Sequence, residues 1–224
     1  MSKMIRAGVS LAALMIAAGA ASAADLPRSY KAPAYVAPAY ANWTGFYAGI
    51  NAGYGFGKSN WDAPAISPEP KGFVGGVTLG YNFQTGIWLW GLEGDVMYSD
   101  MKDSGTCVGA TGTCETKNSW LGTARGRIGY AGWNNLLPYF TGGAAFGDIK
   151  ASSPFGDASK TKVGWTVGAG LEYAMWSNWS VKAEYLYVDL GSFDCGTSCG
   201  GPGVTTDNVS FKANIVRAGL NYRF

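Results

Sequence analysis

The sequence predicts an all-β chain folded as an antiparallel, eight-stranded transmembrane up-and-down β-barrel, and three observations carry that expectation. Eight segments alternate apolar with small or polar residues at period two. The connections between them alternate short and long. The composition, with 34 Gly and 14% aromatic residues against only 14% charged, falls well under the roughly 25% charge of an average soluble domain. No apolar run reaches the roughly 20 residues of a membrane helix. A backbone that meets lipid without forming helices must close into a barrel to satisfy its polar groups.

The N-terminus indicates export. Lys3 and Arg6 precede an apolar run from Ala7 to Ala18, and Ala21-Ser22-Ala23 offers a small-residue cleavage site before Ala24, so residues 1–23 read as a signal peptide. Its removal takes two of 17 basic residues and no acidic ones, leaving 15 against 15. Formal neutrality gives no reason to expect nucleic acid as a partner. Residues 24–42, with prolines at 27, 33 and 38, read as an extended leader before a barrel of residues 43–224.

The strands follow in order. The first puts Phe46, Ala48, Ile50, Ala52, Tyr54 and Phe56 on one face, with Tyr47, Gly49, Asn51, Gly53 and Gly55 on the other. The second sets Phe73, Val77, Leu79, Tyr81 and Phe83 against Val74, Gly76, Thr78, Gly80 and Asn82; the third sets Trp88, Trp90, Leu92, Val96 and Tyr98 against Glu93 and Asp95. Alternation recurs at 120–131 (Ala124 and Ile128 against Arg125 and Arg127) and 136–147 (Phe140 against Tyr139, Thr141 and Gly143). It continues at 163–175 (Leu171 and Tyr173 against Glu172) and 179–189 (Val181 and Tyr185 against Lys182 and Glu184). The last strand carries Val216, Ala218, Leu220, Tyr222 and Phe224 on one face and Arg217 and Gly219 on the other.

Short connections are expected at 84–86, 132–135 and 176–178, and long ones at 57–72, 99–118, 148–162 and 190–210. Trp43, Trp88, Trp133, Trp176 and Trp179 fall at the short-turn end, as an interfacial girdle would. A soluble barrel or sandwich with the apolar face inward is the competing architecture. It has no need of a tryptophan ring at one end, and the small interior of eight strands suits glycine and a few charges better than large aromatics.

Those interior charges are Glu93, Asp95, Glu172 and Glu184 with Arg125, Arg127, Lys182 and Arg217. A lone charge in so narrow a space is costly and a paired network tolerable, so they are expected to pair and block the lumen. Cys107 and Cys114 share one long loop, and Cys195 and Cys199 another, which reads as two local disulfides in an oxidising compartment. A zinc site from all four would need the loops to converge and lacks the usual spacing. The stretch 52–59 fits a relaxed phosphate loop and 196–200 a nucleophile elbow. Neither opens a helix after a buried strand, and the chain has no histidine to serve as base or haem ligand. No enzyme, cofactor or metal is expected.

The final octamer, with Gly219, Tyr222 and terminal Phe224, resembles the signal by which bacterial outer-membrane barrels are handed to their insertion machinery. Together with 23–27 (AADLP), 43–49 (WTGFYAG), Pro138-Tyr139, Gly142-Gly143-Ala144 and 214–224, the chain resembles the small porin-like outer-membrane proteins of alphaproteobacteria, distantly similar to the OmpA membrane barrel. The resemblance implies a Gram-negative outer membrane, outer-membrane lipid as surroundings, and a monomer. Its role would be structural, stabilising the envelope and displaying loops, with at most a narrow pore. The rival expectations are a small diffusion porin and a surface binding protein, an adhesin or haem receptor, acting through Trp61 and the loops.

Overall fold

Each segment with one apolar face forms a strand: Gly45–Trp61 (β1), Lys71–Thr85 (β2), Trp88–Thr106 (β3), Thr113–Tyr130 (β4), Leu136–Ser153 (β5), Gly156–Trp176 (β6), Trp179–Asp194 (β7) and Asn208–Arg223 (β8). The structure, a computed structural model, describes residues 41–61, 69–106, 113–153, 156–176, 178–194 and 208–224. The signal peptide, Cys107, Cys195 and Cys199 lie outside the described residues, as does the side chain of Cys114, and so does all of the leader except its last two residues. Every strand pairs antiparallel with the next, and β8 returns to β1, closing the barrel. Closure satisfies the backbone that an open edge would leave bare.

The apolar face points outward. Phe46 is 67% exposed, Leu92 73% and Phe140 71%, an arrangement that only lipid makes favourable across a whole barrel wall. The soluble alternative, which needs these side chains inside, is thereby excluded. Trp88, Trp133, Trp176 and Trp179 are exposed at the short-turn end, as expected of a girdle. Trp43 is not among them. It is 2% exposed and packs inside the barrel mouth with Leu89, Ala131 and Leu137. The chain entering β1 is held there by bonds from Trp43 N to Gln84 Oε1 (2.9 Å) and from Gln84 N to Thr44 Oγ1 (3.1 Å), which draw the indole inward.

The strands, 15 to 21 residues long, exceed the roughly 9 to 11 that a tilted membrane crossing requires. Two of the four expected long loops, 99–118 and 148–162, are largely strand among their described residues. Residues 99–106 and 113–118 remain in β3 and β4, and 148–153 pairs with 156–161 as far as Ser153↔Gly156. Backbone pairing continues after the chain leaves the lipid, whereas the outward apolar face, which lipid imposes, stops. At the opposite end Gly86, at φ 60°, makes the tight β2–β3 turn that a side chain would strain. A bulge between Asn118 and Leu121 shifts the inward set of β4 from Thr116 and Asn118 to Leu121 and Thr123.

Inside, the barrel has three layers. At the short-turn end sits the Trp43 cluster; beyond the middle, a larger apolar cluster includes Met97, Met101, Leu121, Ile149, Leu186 and Phe211. The interior thus holds two apolar clusters besides the glycine and charge expected there. On β8, Phe211, Ala213 and Ile215 point inward while Val216 points out, so the inward face of this stretch is apolar.

Candidate functional site

Between the two apolar layers lie all eight of the charges assigned to the interior, each no more than 4% exposed. They come from β3 (Glu93, Asp95), β4 (Arg125, Arg127), β6 (Glu172), β7 (Lys182, Glu184) and β8 (Arg217). Period two places Glu93 and Asp95 on one face of β3, and register sets Glu93 directly opposite Arg125 and Glu184 opposite Arg217. The neighbour Glu172↔Lys182 is also a register pair, although Lys182 Nζ reaches across the lumen to Glu93 Oε2 at 2.9 Å instead.

The contacts form one network. Arg125 bonds Glu93, Asp95 Oδ2 (2.8 Å) and Glu184 Oε1 (3.0 Å). Arg217 bonds Glu184 Oε2 through Nε (2.7 Å) and Nη2 (2.6 Å) and reaches Asp95 Oδ1 at 3.2 Å. Arg127 donates to Glu172 Oε2 at 2.7 Å, and Ser180 Oγ (2.6 Å) and Asn221 Nδ2 (2.9 Å) donate to its other oxygen. Four carboxylates against four cations make the layer neutral. The partners lie at the short distances of charge-assisted bonds, which is what allows the charges to persist away from water.

Two tyrosines that the charge pattern alone does not reveal complete the layer. Tyr47 donates to Glu93 Oε2 at 2.7 Å and Tyr139 to Glu184 Oε1 at 3.1 Å. Each ring lies over a glycine at its own register partner, Tyr47 over Gly80 and Tyr139 over Gly170. The Arg127 guanidinium carbon sits 4.1 Å from the Tyr139 ring centre and 5.7 Å from that of Tyr47, a cation held against two aromatic faces. The legible signal was a large aromatic on an otherwise small face beside facing glycines. Of the residues expected to form a C-terminal assembly signal, Tyr222 and Phe224 point outward with ring centres 5.4 Å apart, and Gly219 is buried opposite Lys182.

An outward aromatic wall, a closed eight-stranded ladder and a polar interior define an integral membrane β-barrel protein of the bacterial outer membrane. Residues 9–224 match the family model described as outer membrane protein beta-barrel domain, and the chain belongs to that family. It is similar to the 31 kDa outer-membrane immunogenic protein of Brucella melitensis biotype 1, with 39% identity covering 96% of this chain and 97% of that one. It is also similar to the 22 kDa outer membrane protein of Rhizobium leguminosarum bv. viciae, 36% identical over 82% of this chain and 79% of that one. Among solved structures, Neisserial surface protein A superposes with a TM-score of 0.51 over 81% of this chain and 98% of that one, at 17% identity. At that identity the likeness is one of fold. The protein is thus an outer-membrane β-barrel, a class whose short turns lie on the periplasmic side and whose long hairpins lie outside.

Proposed function

We propose that the barrel is a sealed, monomeric scaffold that stabilises the outer membrane and displays its outer hairpins, and that it is neither a diffusion pore nor an enzyme. The observation that carries this reading is the filled interior, a neutral ion-pair layer enclosed by apolar layers on both sides. An ion crossing it would have to break bonds to buried charges in a low-dielectric space. Each of the four carboxylates is engaged by at least one cation, which argues against a free general base. The immunogenic relatives carry names that fit surface display. Gly219, Tyr222 and Phe224 are proposed as the contact with the insertion machinery. Planar-bilayer recording tests the reading: the wild type is expected to show no stable channel, and Arg125→Ala with Arg127→Ala to introduce flickering conductance or to unfold the barrel. A large, stable conductance in the wild type, unchanged by the double substitution, overturns it.

A further inference from the structure

Beyond the aromatic wall, six adjacent strands carry outward lysines, with Asp100 preceding Lys102 on β3 and Asp148 preceding Lys150 on β5. Lys212 of β8 pairs across the ladder with Lys58 of β1, Lys71 of β2 with Lys102 of β3, Lys102 with Lys117 of β4, and Lys117 with Lys150 of β5. Lys58 lies two residues beyond Phe56, which is the partner of Lys71, so the row is continuous. Their chain neighbours Ser59, Met101, Thr116, Ile149 and Phe211 are buried inside the barrel, which sets the lysines outward. The row stops where Ser159 of β6 faces Lys150 and Asp189 of β7 faces Lys212.

Like charges directly opposite one another destabilise a ladder, and nearby carboxylates relieve this only in part. Glu69 reaches Lys71 at 2.9 Å, but Asp189 stands 3.6 Å from Lys212, Asp100 3.9 Å from Lys102 and Asp148 4.0 Å from Lys150. Lys58 and Lys117 make no ion pair among the described residues. The Lys71 ammonium, by its hydrogen bond and charge, and secondarily Lys58 hold the Glu69 carboxyl below its usual range. Lys58 and Lys71 lie two residues past the outward rings of Phe56 and Phe73, about 7 Å along the strand. With the long hairpins outside, that is the headgroup level of the outer leaflet.

We propose that this lysine row binds the phosphate groups of a phosphorylated glycolipid in the outer leaflet, whose acyl chains lie against the aromatic wall below. Strands about 4.8 Å apart present ammonium groups at a spacing that phosphates on one sugar scaffold can bridge. Each ammonium offers three donors. A zwitterionic phospholipid brings one phosphate together with its own cation and would leave the facing lysines unanswered. The inference rests on the outer-membrane orientation and not on whether the lumen is sealed.

The test refolds the protein into nanodiscs of phosphatidylcholine containing a minor fraction of diphosphoryl lipid A, with and without chelator, and counts retained lipid by native mass spectrometry. Lipid A is expected to be enriched around the wild type in both conditions, and monophosphoryl lipid A less so. Lys102→Gln with Lys117→Gln should lower that enrichment on the order of tenfold, and arginine at both positions should retain it. Lys160→Gln with Lys162→Gln, which removes the same charge from β6 outside the row, should change it less than about twofold. Equal loss in the two glutamine pairs would reduce the effect to net charge and overturn the proposal. Retention that vanishes with chelator and ignores the lysine substitutions would assign binding to metal-bridged carboxylates and overturn it as well. Heat-modifiable gel migration of each variant separates loss of the site from loss of the barrel.

Discussion

Arg217 holds Glu184 through two nitrogens and Asp95 through a third contact, in a layer where neither carboxylate can reach bulk water. Removing it leaves buried negative charge only partly compensated by Arg125, so Arg217→Met is expected to cost about 3 to 5 kcal/mol. Urea unfolding of the refolded protein, followed by tryptophan fluorescence, measures this. Adding Glu184→Gln in the same chain should recover part of the loss, because the pair act on each other. Gly170 carries a different constraint, since a Cβ there would fall 2.6 Å from Cζ of the Tyr139 ring and 2.8 Å from the Ala183 carbonyl oxygen. Gly170→Ala is expected to destabilise by about 1 to 3 kcal/mol through overpacking, and Tyr139→Ala beside it should relieve part of that cost in the same urea titration. The charges of this layer could be read from alternation alone. The two tyrosine donors could not, because their role depends on which residue faces them across the ladder.

At the scale of elements, the hairpin of β5 and β6 departs most from what side-chain pattern suggests. Its outer part, from Gly147↔Lys162 to Ser153↔Gly156, is paired residue for residue, although the sequence there is rich in Ser, Lys and Asp and has no outward apolar face. Amide hydrogen exchange is expected to show the paired amides of 148–153 and 156–161 exchanging more slowly than open chain; uniformly fast exchange across both stretches would return the segment to a loop. Alternation reports on the two solvents that a strand's faces meet, so it marks only the membrane-crossing part of a strand. Outside the lipid the outward face meets water, and the ladder is held by backbone bonds, by buried inward side chains such as Ile149 and by its continuity with the part below.

For the whole molecule, closure is the governing fact: eight strands leave no edge, and the described interior stacks an ion-pair layer between two apolar layers. Such a barrel should resist detergent until heated, so unboiled protein is expected to migrate differently from boiled protein on an SDS gel. Identical migration after verified refolding would count against closure. The layered interior gives the same molecule two kinds of cohesion. The apolar layers resist water entry, and the ion-pair layer fixes which strands face one another, because a slipped register would turn every buried charge to the lipid face.

What the sequence determined by itself was the class and the wall: eight strands, their inward and outward faces, the charges of the interior and the short-turn end with its tryptophans. All of these follow from period two and composition, properties of a strand that hold before any partner is known. What only the tertiary structure decided was everything set by register and closure. Trp43 enters the barrel mouth because Leu89 and Leu137 meet there. Lys182 crosses the lumen to Glu93 in preference to its register neighbour Glu172, which Arg127, Ser180 and Asn221 already satisfy. Six lysines scattered over more than 150 positions become one row because ladder pairing brings them to the same height. A sequence lists side chains along one strand at a time, and the free energy of this barrel lies between strands.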